Sequence, residues 1–491
     1  MSEKYAHAFG KNDIRGIYGE DITEELFFNI GKNFISFLKD KSEISDTNDM
    51  YLTVCMDART HSPSLLKALI AGITSTGAHA VNLGLAPTPI GYYSEVVGVP
   101  SEITNGHEIL SACIITASHN PKEYNGMKMT FKNRTLSEEQ IKEVKDITLS
   151  NWEDSISEVN DDLVIQYNII PTYISDMVNR FSNAGEGVKV VVDSANATGG
   201  IVGPELYRKL GCDVVELFSE PDGTFPNHHP NPSVESTLDT LKETVIKENA
   251  DLGIAYDGDS DRIGVIDNNG NYLTGDKLLL IYAQDVINEY KKKNIVPNIV
   301  SEVKCSQVLF DTIDSIGGKS FMAKTGHGYI KSKMFETNAV LAGEMSGHTF
   351  FKDRYYGFDD AVYAGCRIIE IISKNKKFNP NFTIQDILTP FTKVYTSPEC
   401  RYTCPNELKK STLEAVKEKI NNNKNIFGSE IKDIITLDGM RIVFDGGFAL
   451  IRQSNTEPVF TLRFEAKTKE ECERFQSVML SMLDNILKIK A

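Results

Sequence analysis

The sequence predicts an α/β fold with three related α/β domains and a last α+β domain. Three segments repeat one plan, in which an apolar strand-like run is followed by a helix-like stretch, a glycine and a second strand-like run. Strands that alternate with helices of this length indicate βαβ units in mixed or parallel sheets. The last hundred residues differ, because an Asp445-Gly446-Gly447 turn joins two short strand-like runs there. Such a turn is typical of an antiparallel hairpin.

Each of the three repeats supplies two predicted strands around one predicted helix. Glycines at the predicted helix ends mark where each chain segment turns toward its second strand. The predicted strand–helix–strand positions are 51–56, 65–70 and 80–83; 188–192, 204–210 and 214–217; and 299–303, 307–316 and 321–323.

The C-terminal region has its own predicted order. Strands are predicted at 440–444, 448–451 and 459–464, followed by an amphipathic helix from about 469 to 488. The run 373–381 is rich in Lys and Asn, and this composition predicts a linker into the last domain.

Size and charge limit the classes of function. A chain of 491 residues is long enough for three to four domains, because single cores rarely grow past about 250 residues. Lys and Arg total 52 against 68 Asp and Glu, and the net charge of −16 argues against general affinity for nucleic acid or anionic lipid. No run approaches the ~20 apolar residues of a membrane span, and the N-terminus leads into no apolar signal core. The sequence therefore predicts a cytoplasmic protein without a nucleic-acid or membrane partner, and no obligate protein partner is evident.

The eight cysteines are scattered along the chain. Cys400 and Cys404 are the closest pair, but no second Cys or His pair lies near them in sequence. This spacing argues against a zinc site and predicts free or buried thiols.

A serine follows one of the strand-like runs, in Thr116-Ala117-Ser118-His119-Asn120-Pro121. A hydroxyl at a strand end beside an imidazole is a candidate nucleophile or phosphoryl carrier. Ser and Asn-Pro are also common in ordinary turns, so this motif alone leaves both interpretations open.

The strongest metal signal is Asp257-Gly258-Asp259-Ser260-Asp261-Arg262, which lies between two strand-like runs. Three carboxylates at alternate positions of a tight loop can bind one hard divalent cation. An EF-hand is the nearest competing motif, but Arg262 stands where that motif needs Gly and Asn268 where it needs Glu. A solvated acidic turn is the remaining alternative.

Two further loops carry groups suited to a sugar phosphate. Arg452-Gln453-Ser454-Asn455-Thr456-Glu457-Pro458 combines a guanidinium, hydroxyls and an amide that suit phosphate oxygens, although such a loop is often only a connection. Gly343-Glu344-Met345-Ser346-Gly347-His348 can bond sugar hydroxyls, although its His can also be structural. The run 324–331 adds His327 and two cations, and its glycines fit either a ligand or a turn.

The segment Pro221–Pro232 concentrates turn-forming residues and contains His228 and His229. Adjacent residues in a Pro-rich loop point in different directions, which argues against a shared metal. A rigid structural loop is the preferred interpretation.

These motifs, in this order, resemble those of the α-D-phosphohexomutase family, specifically its bacterial phosphomannomutase/phosphoglucomutase branch. The resemblance covers nearly the whole chain: Asp13-Ile14-Arg15-Gly16, Pro87-Thr88-Pro89, the Ser118 loop, Pro221–Pro232, and the Asp257, Glu344 and Arg452 loops.

The resemblance implies four domains around a central cleft, three of related mixed α/β type and a C-terminal α+β domain with an antiparallel sheet. It implies the following expected domains: 1–163 with the phosphoserine loop, 164–271 with the metal-binding loop, 272–388 with the sugar-binding loop and 389–491 with the phosphate-binding loop.

The resemblance also implies roles for individual residues. Ser118 is the expected phosphoserine carrier, and Asp257, Asp259 and Asp261 are expected to bind Mg²⁺ together with a phosphoserine oxygen. Glu344 and Ser346 are expected to hold sugar hydroxyls. The expected phosphate-binding residues are Arg452, Ser454, Asn455 and Thr456, and further expected cleft residues are Arg15, His119, Lys128, Arg262, Lys304, His327 and His348.

The implied activity is reversible interconversion of hexose 1-phosphate and hexose 6-phosphate, with mannose, glucose or both as the sugar. The expected partners are small sugar phosphates, and the expected cofactors are Mg²⁺ and a hexose 1,6-bisphosphate activator and intermediate. Lys128 and Arg262 would offset charge in transfer, and His119, His327 and His348 are all candidates for the general base. A phosphoglucosamine mutase, a non-catalytic sugar-phosphate-binding homologue and a metal phosphatase are the alternatives.

Overall fold

The computed structural model describes residues 2–454 and 457–490. These residues form two compact units. Unit 1 contains the chain up to Leu273 together with 346–349 and 358–382. Unit 2 contains Thr274–Met345, Phe350–Gly357 and the chain from Thr383 onward. The chain therefore passes between the units several times.

The first sheet belongs to unit 1 and is mixed. Its strands are β1 (Ile14–Ile17), β2 (Tyr51–Met56), β3 (His79–Leu85), β4 (Ile109–Ile115), β5 (Tyr124–Phe131), β6 (Arg134–Thr135) and β7 (Val164–Gln166). The order is β1-β5-β4-β2-β3-β7, and β6 pairs with β5. β2 runs parallel to β3 and β4, whereas β5 runs antiparallel to β4 and β1. The predicted βαβ unit of this segment is confirmed.

Four helices accompany this sheet. Their bounds are α1 (Glu24–Lys41), α2 (Ser62–Thr74), α3 (Thr88–Val97) and α4 (Glu138–Ser150). Thr23 caps α1 by accepting a hydrogen bond from the Leu26 amide, and Ser137 and Gln140 form a capping box at α4. Phe27, Phe28 and Phe34 of α1 are fully buried in the core of this sheet.

The second sheet, also in unit 1, carries the acidic loop. Its strands are β8 (Lys189–Asp193), β9 (Asp213–Leu217), β10 (Leu252–Tyr256), β11 (Ile263–Asp267) and β12 (Tyr272–Leu273), and its helices are α5 (Ile170–Arg180), α6 (Gly203–Lys209) and α7 (Asp239–Lys247). The order is β12-β11-β10-β8-β9. β8 is parallel to β9 and β10, while β10 and β11 form an antiparallel pair. The second predicted βαβ unit is confirmed.

The third sheet contains β13 (Asn298–Glu302), β14 (Lys319–Ala323), β15 (Leu341–Gly343) and β16 (Thr349–Phe351). β13 pairs parallel with both β14 and β15, as the third predicted unit requires. The helices of this part of the chain are α8 (Gly275–Lys291), α9 (Gln307–Ser315), α10 (His327–Thr337) and α11 (Ala361–Phe378). Of these, α11 belongs to unit 1.

The prediction of a linker over 373–381 is wrong, because α11 continues to Phe378. Ile371 and Ile372 are buried directly before this segment and Ser373 is buried within it, so the packed side of the helix continues into the start of the polar segment. Lys376 and Lys377 lie in its last turn, where positive charge is favourable to the helix dipole.

The last sheet is antiparallel and belongs to unit 2. Its strands are β17 (Tyr395–Thr396), β18 (Cys400–Thr403), β19 (Asp433–Ile435), β20 (Met440–Phe444), β21 (Gly447–Gln453) and β22 (Val459–Ala466), accompanied by α12 (Asn406–Asn422) and α13 (Lys469–Lys490). β21 pairs with β20 and β22. The predicted hairpin, third strand and long helix are confirmed.

Two further sequence predictions concern the chain as a whole. All eight cysteines are free thiols, and seven of them are buried, as predicted. Among the described residues, none of the helices combines the length and the hydropathy that a bilayer crossing needs.

Candidate active site

Ser118 directly follows the Thr116-Ala117 pair at the end of β4, and its backbone is in the left-handed region with φ 50°. A non-glycine residue in this region is uncommon and frequently marks a functional turn. The Thr116 hydroxyl accepts a hydrogen bond from the Ser118 amide at 2.8 Å. Only 5% of Ser118 is exposed, so its hydroxyl is held in a defined position.

The Ser118 hydroxyl has two close polar neighbours. It donates to Oδ2 of Asp257 at 2.7 Å, and Nδ1 of His119 lies 3.2 Å from Oγ. Burial and the charges of Arg262 and Arg15 lower the pKa of His119 far below its usual value. His119 therefore presents a neutral imidazole to the serine oxygen.

Asp257, Asp259 and Asp261 lie in the short turn between β10 and β11, and all three are buried. One carboxylate oxygen from each lies within 4.8 Å of the others, which is a group able to hold a metal ion. Oδ1 of Asp259 and of Asp261 finds no hydrogen-bond partner among the described residues. These buried oxygens fit the needs of a hard divalent cation.

The acidic turn approaches the serine loop at a glycine. A Cβ atom on Gly258 would lie only 2.3 Å from the Ser118 carbonyl oxygen. Any larger residue would push the two loops apart, so glycine at this position permits the contact between Ser118 and Asp257.

Lys128 on β5 lies beside the carboxylates. Its Nζ is 2.7 Å from Oδ2 of Asp259 and 2.5 Å from Oδ2 of Asp261. Burial opposes the charge on this lysine, but the two carboxylates raise the pKa of Lys128 well above its usual value. Burial and the charge of Asp259 raise the pKa of Asp261 to about 7. Lys128 therefore remains a cation, while Asp261 releases its proton less readily than an ordinary aspartic acid.

Arg262 ends the acidic turn and is 3% exposed. Its Nε donates to Oδ2 of Asp257 at 2.9 Å. Its Nη2 has no hydrogen-bond partner within the described part of the chain. A buried guanidinium with an unused donor is suited to contact an anionic group.

The backbone of Arg262 forms an antiparallel bridge with His348, which brings that histidine to the acidic turn. Gly347 makes this approach possible, because a Cβ atom there would lie 2.4 Å from the Ile263 carbonyl oxygen. Nδ1 of His348 is 3.7 Å from Asp261 and 3.1 Å from Asp359. Asp261, His348 and Asp359 form a second group able to hold a metal ion, which the sequence did not suggest.

Arg15 and Ser346 complete the predicted residues of unit 1. Nη1 of Arg15 donates to the Asn120 side chain at 2.8 Å, and its Nη2 pairs with Asp13. Arg15 therefore contacts the serine loop two residues beyond Ser118. Ser346 is partly buried and lies two residues before His348.

The other predicted residues belong to unit 2. Nζ of Lys304 lies 3.7 Å from Glu302 and 3.6 Å from Glu399. Burial opposes its charge, but Glu302 and Glu399 raise the pKa of Lys304. Oε1 of the buried Glu344 accepts a hydrogen bond from the Gly326 amide at 2.7 Å, and His327 is the first residue of α10.

Arg452 lies on β21 rather than in the loop that follows it. Its Nε donates to Oδ2 of Asp438 at 2.7 Å, and the same oxygen accepts the Thr325 amide at 3.1 Å. Asp438 therefore joins Arg452 to the backbone of the segment that carries His327. Ser454 is partly buried, whereas Asn455 and Thr456 lie outside the described residues.

Two side chains hold the ends of the loop after Arg452. Nζ of the buried Lys409 donates to the carbonyl oxygen of Ser454 at 2.9 Å and also to that of Glu457. Arg401 forms two contacts with Glu457, at 2.8 and 2.7 Å. Lys409 is buried, whereas the pair of Arg401 with Glu457 is largely exposed.

Sequence reasoning gave no role to several residues of the site. Thr88, the first residue of α3, donates from its hydroxyl to Asp259 at 2.6 Å. Asp359 and Asp438 were not singled out, and neither was Arg59, which contacts the serine loop. The position of Arg59 follows from the sheet, because the strands β2 and β4 that precede Asp57 and Thr116 are parallel neighbours. Residues just past such strands meet at one edge of the sheet.

The Pro221–Pro232 loop packs as a structural element of unit 1. Nε2 of His228 lies 3.0 Å from Oδ2 of the buried Asp193. Burial opposes protonation, but Asp193 raises the pKa of His228. This ion pair favours the interpretation of a structural loop.

Known protein families match this chain in four consecutive parts. The matching descriptions are those of the phosphoglucomutase/phosphomannomutase domains: alpha/beta/alpha domain I at residues 6–154, domain II at 171–270, domain III at 274–390 and the C-terminal domain at 399–481. The chain belongs to the phosphoglucomutase/phosphomannomutase family. The resemblance and the four-domain α/β fold class expected from the sequence are thus confirmed.

Individual members of the family are similar over nearly their full length. The phosphomannomutase/phosphoglucomutase of Pseudomonas aeruginosa is 38% identical over 478 residues, which are 97% of this chain and 96% of that protein. The crystal structure of a phosphoglucomutase/phosphomannomutase family protein from Burkholderia thailandensis has a TM-score of 0.83 and 32% identity, covering 98% of this chain and 97% of that one.

A more distant structure shares the fold. The N-acetylphosphoglucosamine mutase of Aspergillus fumigatus, solved in complex with GlcNAc-6P and magnesium, has a TM-score of 0.60 at 13% identity. This match covers 99% of this chain and 98% of that chain.

Proposed function

We propose that this protein is a phosphohexomutase that reversibly interconverts hexose 1-phosphate and hexose 6-phosphate, with mannose, glucose or both as the sugar. In this proposal phosphorylated Ser118 gives its phosphoryl group to the free hydroxyl of a bound sugar phosphate. The resulting hexose 1,6-bisphosphate reorients, and its other phosphate returns to Ser118. The substrates are small sugar phosphates, and the proposed compartment is the cytoplasm.

The observation that carries the proposal is the contact between Ser118 and the acidic turn. A buried hydroxyl in a left-handed turn, 2.7 Å from the first of three clustered carboxylates, has the chemistry of a phosphoryl carrier. Membership of the family supports the same activity, because similar proteins are named phosphomannomutase/phosphoglucomutase.

The residues of the acidic turn fit Mg²⁺. Asp257, Asp259 and Asp261 supply oxygen ligands, and the two Oδ1 atoms without hydrogen-bond partners among the described residues suit a cation. The distant Aspergillus mutase is described in complex with magnesium. When bound here, Mg²⁺ would neutralise negative charge on the phosphoryl oxygens.

The cations of unit 1 have a complementary task. Lys128 remains charged beside Asp259 and Asp261, and Arg262 has an unused Nη2 donor. Both are suited to stabilise the charge on a phosphoryl group during transfer.

Proton transfer is required in both halves of the reaction. When Ser118 accepts a phosphoryl group, its proton must leave, and the neutral His119 imidazole lies 3.2 Å from its oxygen. His119 is therefore one candidate for this proton by position, and its lowered pKa makes it a weak base. His327 and His348 are the proposed candidates for the proton of the sugar hydroxyl.

The residues of the remaining loops bind the parts of the substrate that do not react. Arg452 and Ser454, with Asn455 and Thr456, are proposed to bind the phosphate that stays on the sugar. Glu344 and Ser346 are proposed to bond the sugar hydroxyls, and Lys304 and Arg15 to contact phosphate oxygens. Residues that bind phosphate can serve both isomers, because hexose 1-phosphate and hexose 6-phosphate each carry a phosphate group.

The test is a coupled assay with mannose 1-phosphate and glucose 1-phosphate in parallel, with Mg²⁺ and a trace of the bisphosphate as primer. Glucosamine 1-phosphate is included to measure the competing phosphoglucosamine mutase activity. Intact-mass analysis measures phosphate on purified protein, and peptide mapping locates it. We expect turnover of a hexose phosphate and phosphate on Ser118. Purified protein that carries no phosphate after incubation with the bisphosphate and turns over none of the sugars would contradict the proposal.

A further inference from the structure

Arg59 lies two residues past the hydrogen bond that joins the Asp57 amide to the Ile115 carbonyl, at the end of the parallel pair β2 and β4. The side chain of Arg59 is fully buried, with 0% exposure. Burial lowers its pKa, partly offset by the charge of Asp57. A buried charge of this kind persists only where its donors are satisfied.

Four backbone carbonyl groups of the serine loop converge on the Arg59 guanidinium. Nη2 donates to the carbonyl oxygens of Ser118 at 2.9 Å and Asn120 at 2.7 Å. Nη1 donates to those of Pro121 at 2.7 Å and Tyr124 at 3.0 Å. The loop from 118 to 124 is thus folded around one side chain.

The fifth N–H of the guanidinium is also used. Nε donates to Oδ2 of Asp57 at 3.1 Å, and Oδ1 of Asp57 accepts the Arg59 amide and the Ser62 hydroxyl. All five donors of the arginine fork therefore have partners, and none of them is the Ser118 hydroxyl. The Phe225 ring, from the Pro-rich loop, lies 5.4 Å from the guanidinium carbon.

This geometry bears on Ser118 directly. The serine is in a left-handed conformation that needs support, and its carbonyl oxygen is one of the four bound by Arg59. Its hydroxyl lies at the same time 2.7 Å from Asp257. Fixing the carbonyl side of the loop therefore fixes the position of the hydroxyl on the acidic turn.

We propose that Arg59 is a positioning residue that holds residues 118–124 so that the Ser118 oxygen stays in place for phosphoryl transfer. This inference rests on the proposed mutase function and adds a residue to it. Lysine cannot replace Arg59, because a single ammonium group with three donors cannot span four carbonyl groups and Asp57. The role concerns the chemical step, since the hydrogen bonds of the Arg59 side chain go to the serine loop and to Asp57.

The test compares Arg59→Lys and Arg59→Gln with the wild type in the coupled assay with Mg²⁺ and bisphosphate primer. We expect kcat to fall roughly 100-fold, the effect of displacing a reacting atom by about 1 Å, while KM changes less than about threefold. Arg367→Lys is the matched control, because Arg367 is also fully buried in unit 1 but lies on α11. Its kcat is expected to stay within about threefold of the wild type.

The outcomes separate a positioning role from general stabilisation. A kcat for Arg59→Lys within threefold of the wild type overturns the proposal, and so does an equal loss in Arg367→Lys. If both Arg59 variants are insoluble, Asp57→Asn is measured in their place. This substitution removes one support of the guanidinium, so it should lower kcat without raising KM. An inactive wild type would instead remove the mutase function itself and this inference with it.

Discussion

Two loops of this protein are proposed to handle phosphate, and they are held in different ways. The loop from Ser118 to Tyr124 in unit 1 is held by one buried guanidinium that binds four of its carbonyl groups. The loop after Arg452 in unit 2 is held at its ends by Lys409, Asp438 and the exposed pair of Arg401 with Glu457.

The difference matches the two tasks. A reacting atom must stay within a fraction of an ångström of its position, whereas a phosphate that only binds needs charge and hydrogen bonds. Weakening the first loop should therefore lower kcat, and weakening the second should raise KM.

The largest expected effect comes from removing the reacting oxygen. Ser118→Ala should lower kcat by about 10⁴-fold or more, since the carrier is lost, while circular dichroism shows an unchanged fold. Ser454→Ala is the matched control in the second loop, and it should mainly raise KM. Substantial turnover by Ser118→Ala, with no phosphate elsewhere on the protein, would contradict the carrier role.

Removal of the metal is expected to have the second-largest effect on turnover. Dialysis against EDTA is expected to abolish turnover, and added Mg²⁺ should restore it. Because the pKa of Asp261 is raised to about 7, this carboxyl must release a proton for Mg²⁺ to bind. Mg²⁺ affinity should therefore weaken as pH falls through about 7, measured as the half-saturating Mg²⁺ concentration at each pH. A half-saturating concentration that is constant from pH 8 to 6 would contradict this.

Asp438→Asn should act on the second loop alone. The amide keeps the size of the side chain and an acceptor oxygen but removes the negative charge, so the hydrogen bond from Nε of Arg452 is no longer an ion pair. We expect KM to rise roughly tenfold, about 1.4 kcal/mol of binding, with kcat within about twofold. A fall in kcat at unchanged KM would show that this loop also positions the reacting atoms.

The smallest effect is expected for Arg401→Ala. Arg401 is 59% and Glu457 41% exposed, and ion pairs of this kind contribute less than about 1 kcal/mol. Thermal unfolding should shift by only a few degrees, and less in high salt. A large rise in KM would mean that this pair, rather than buried Lys409, holds the loop end.

Local sequence signals predicted the elements well. The three βαβ units and the C-terminal hairpin follow from apolar runs and turn residues that lie close together in sequence. The end of α11 was missed because residues 374–377 in its last turns are all Lys or Asn, although the helix that begins in the apolar run before them continues to Phe378. Charge composition alone could not distinguish a helix end from a linker.

The contrast between local signals and contacts distant in sequence also applies to the site. Ser118 and the three aspartates were found because each motif is contiguous, and the family resemblance supplied the tasks proposed for them. Arg59 and Asp438 act on backbone groups distant in sequence, such as the carbonyl of Ser118 and the amide of Thr325. Such contacts depend on strand order and register, which no short motif encodes.

The path of the chain between the units has a practical consequence for dissecting the protein. A fragment that stops at Leu273 contains Ser118 and the acidic turn but lacks 346–349 and α11, which belong to the same unit. It would leave Tyr207 without the Val362 carbonyl and Tyr173 without the Asp360 carboxylate, and His348 would be missing from the acidic turn. The phosphoryl-transfer half is therefore not a detachable module, and an excised carrier domain would have to be rebuilt from three separate pieces of the gene.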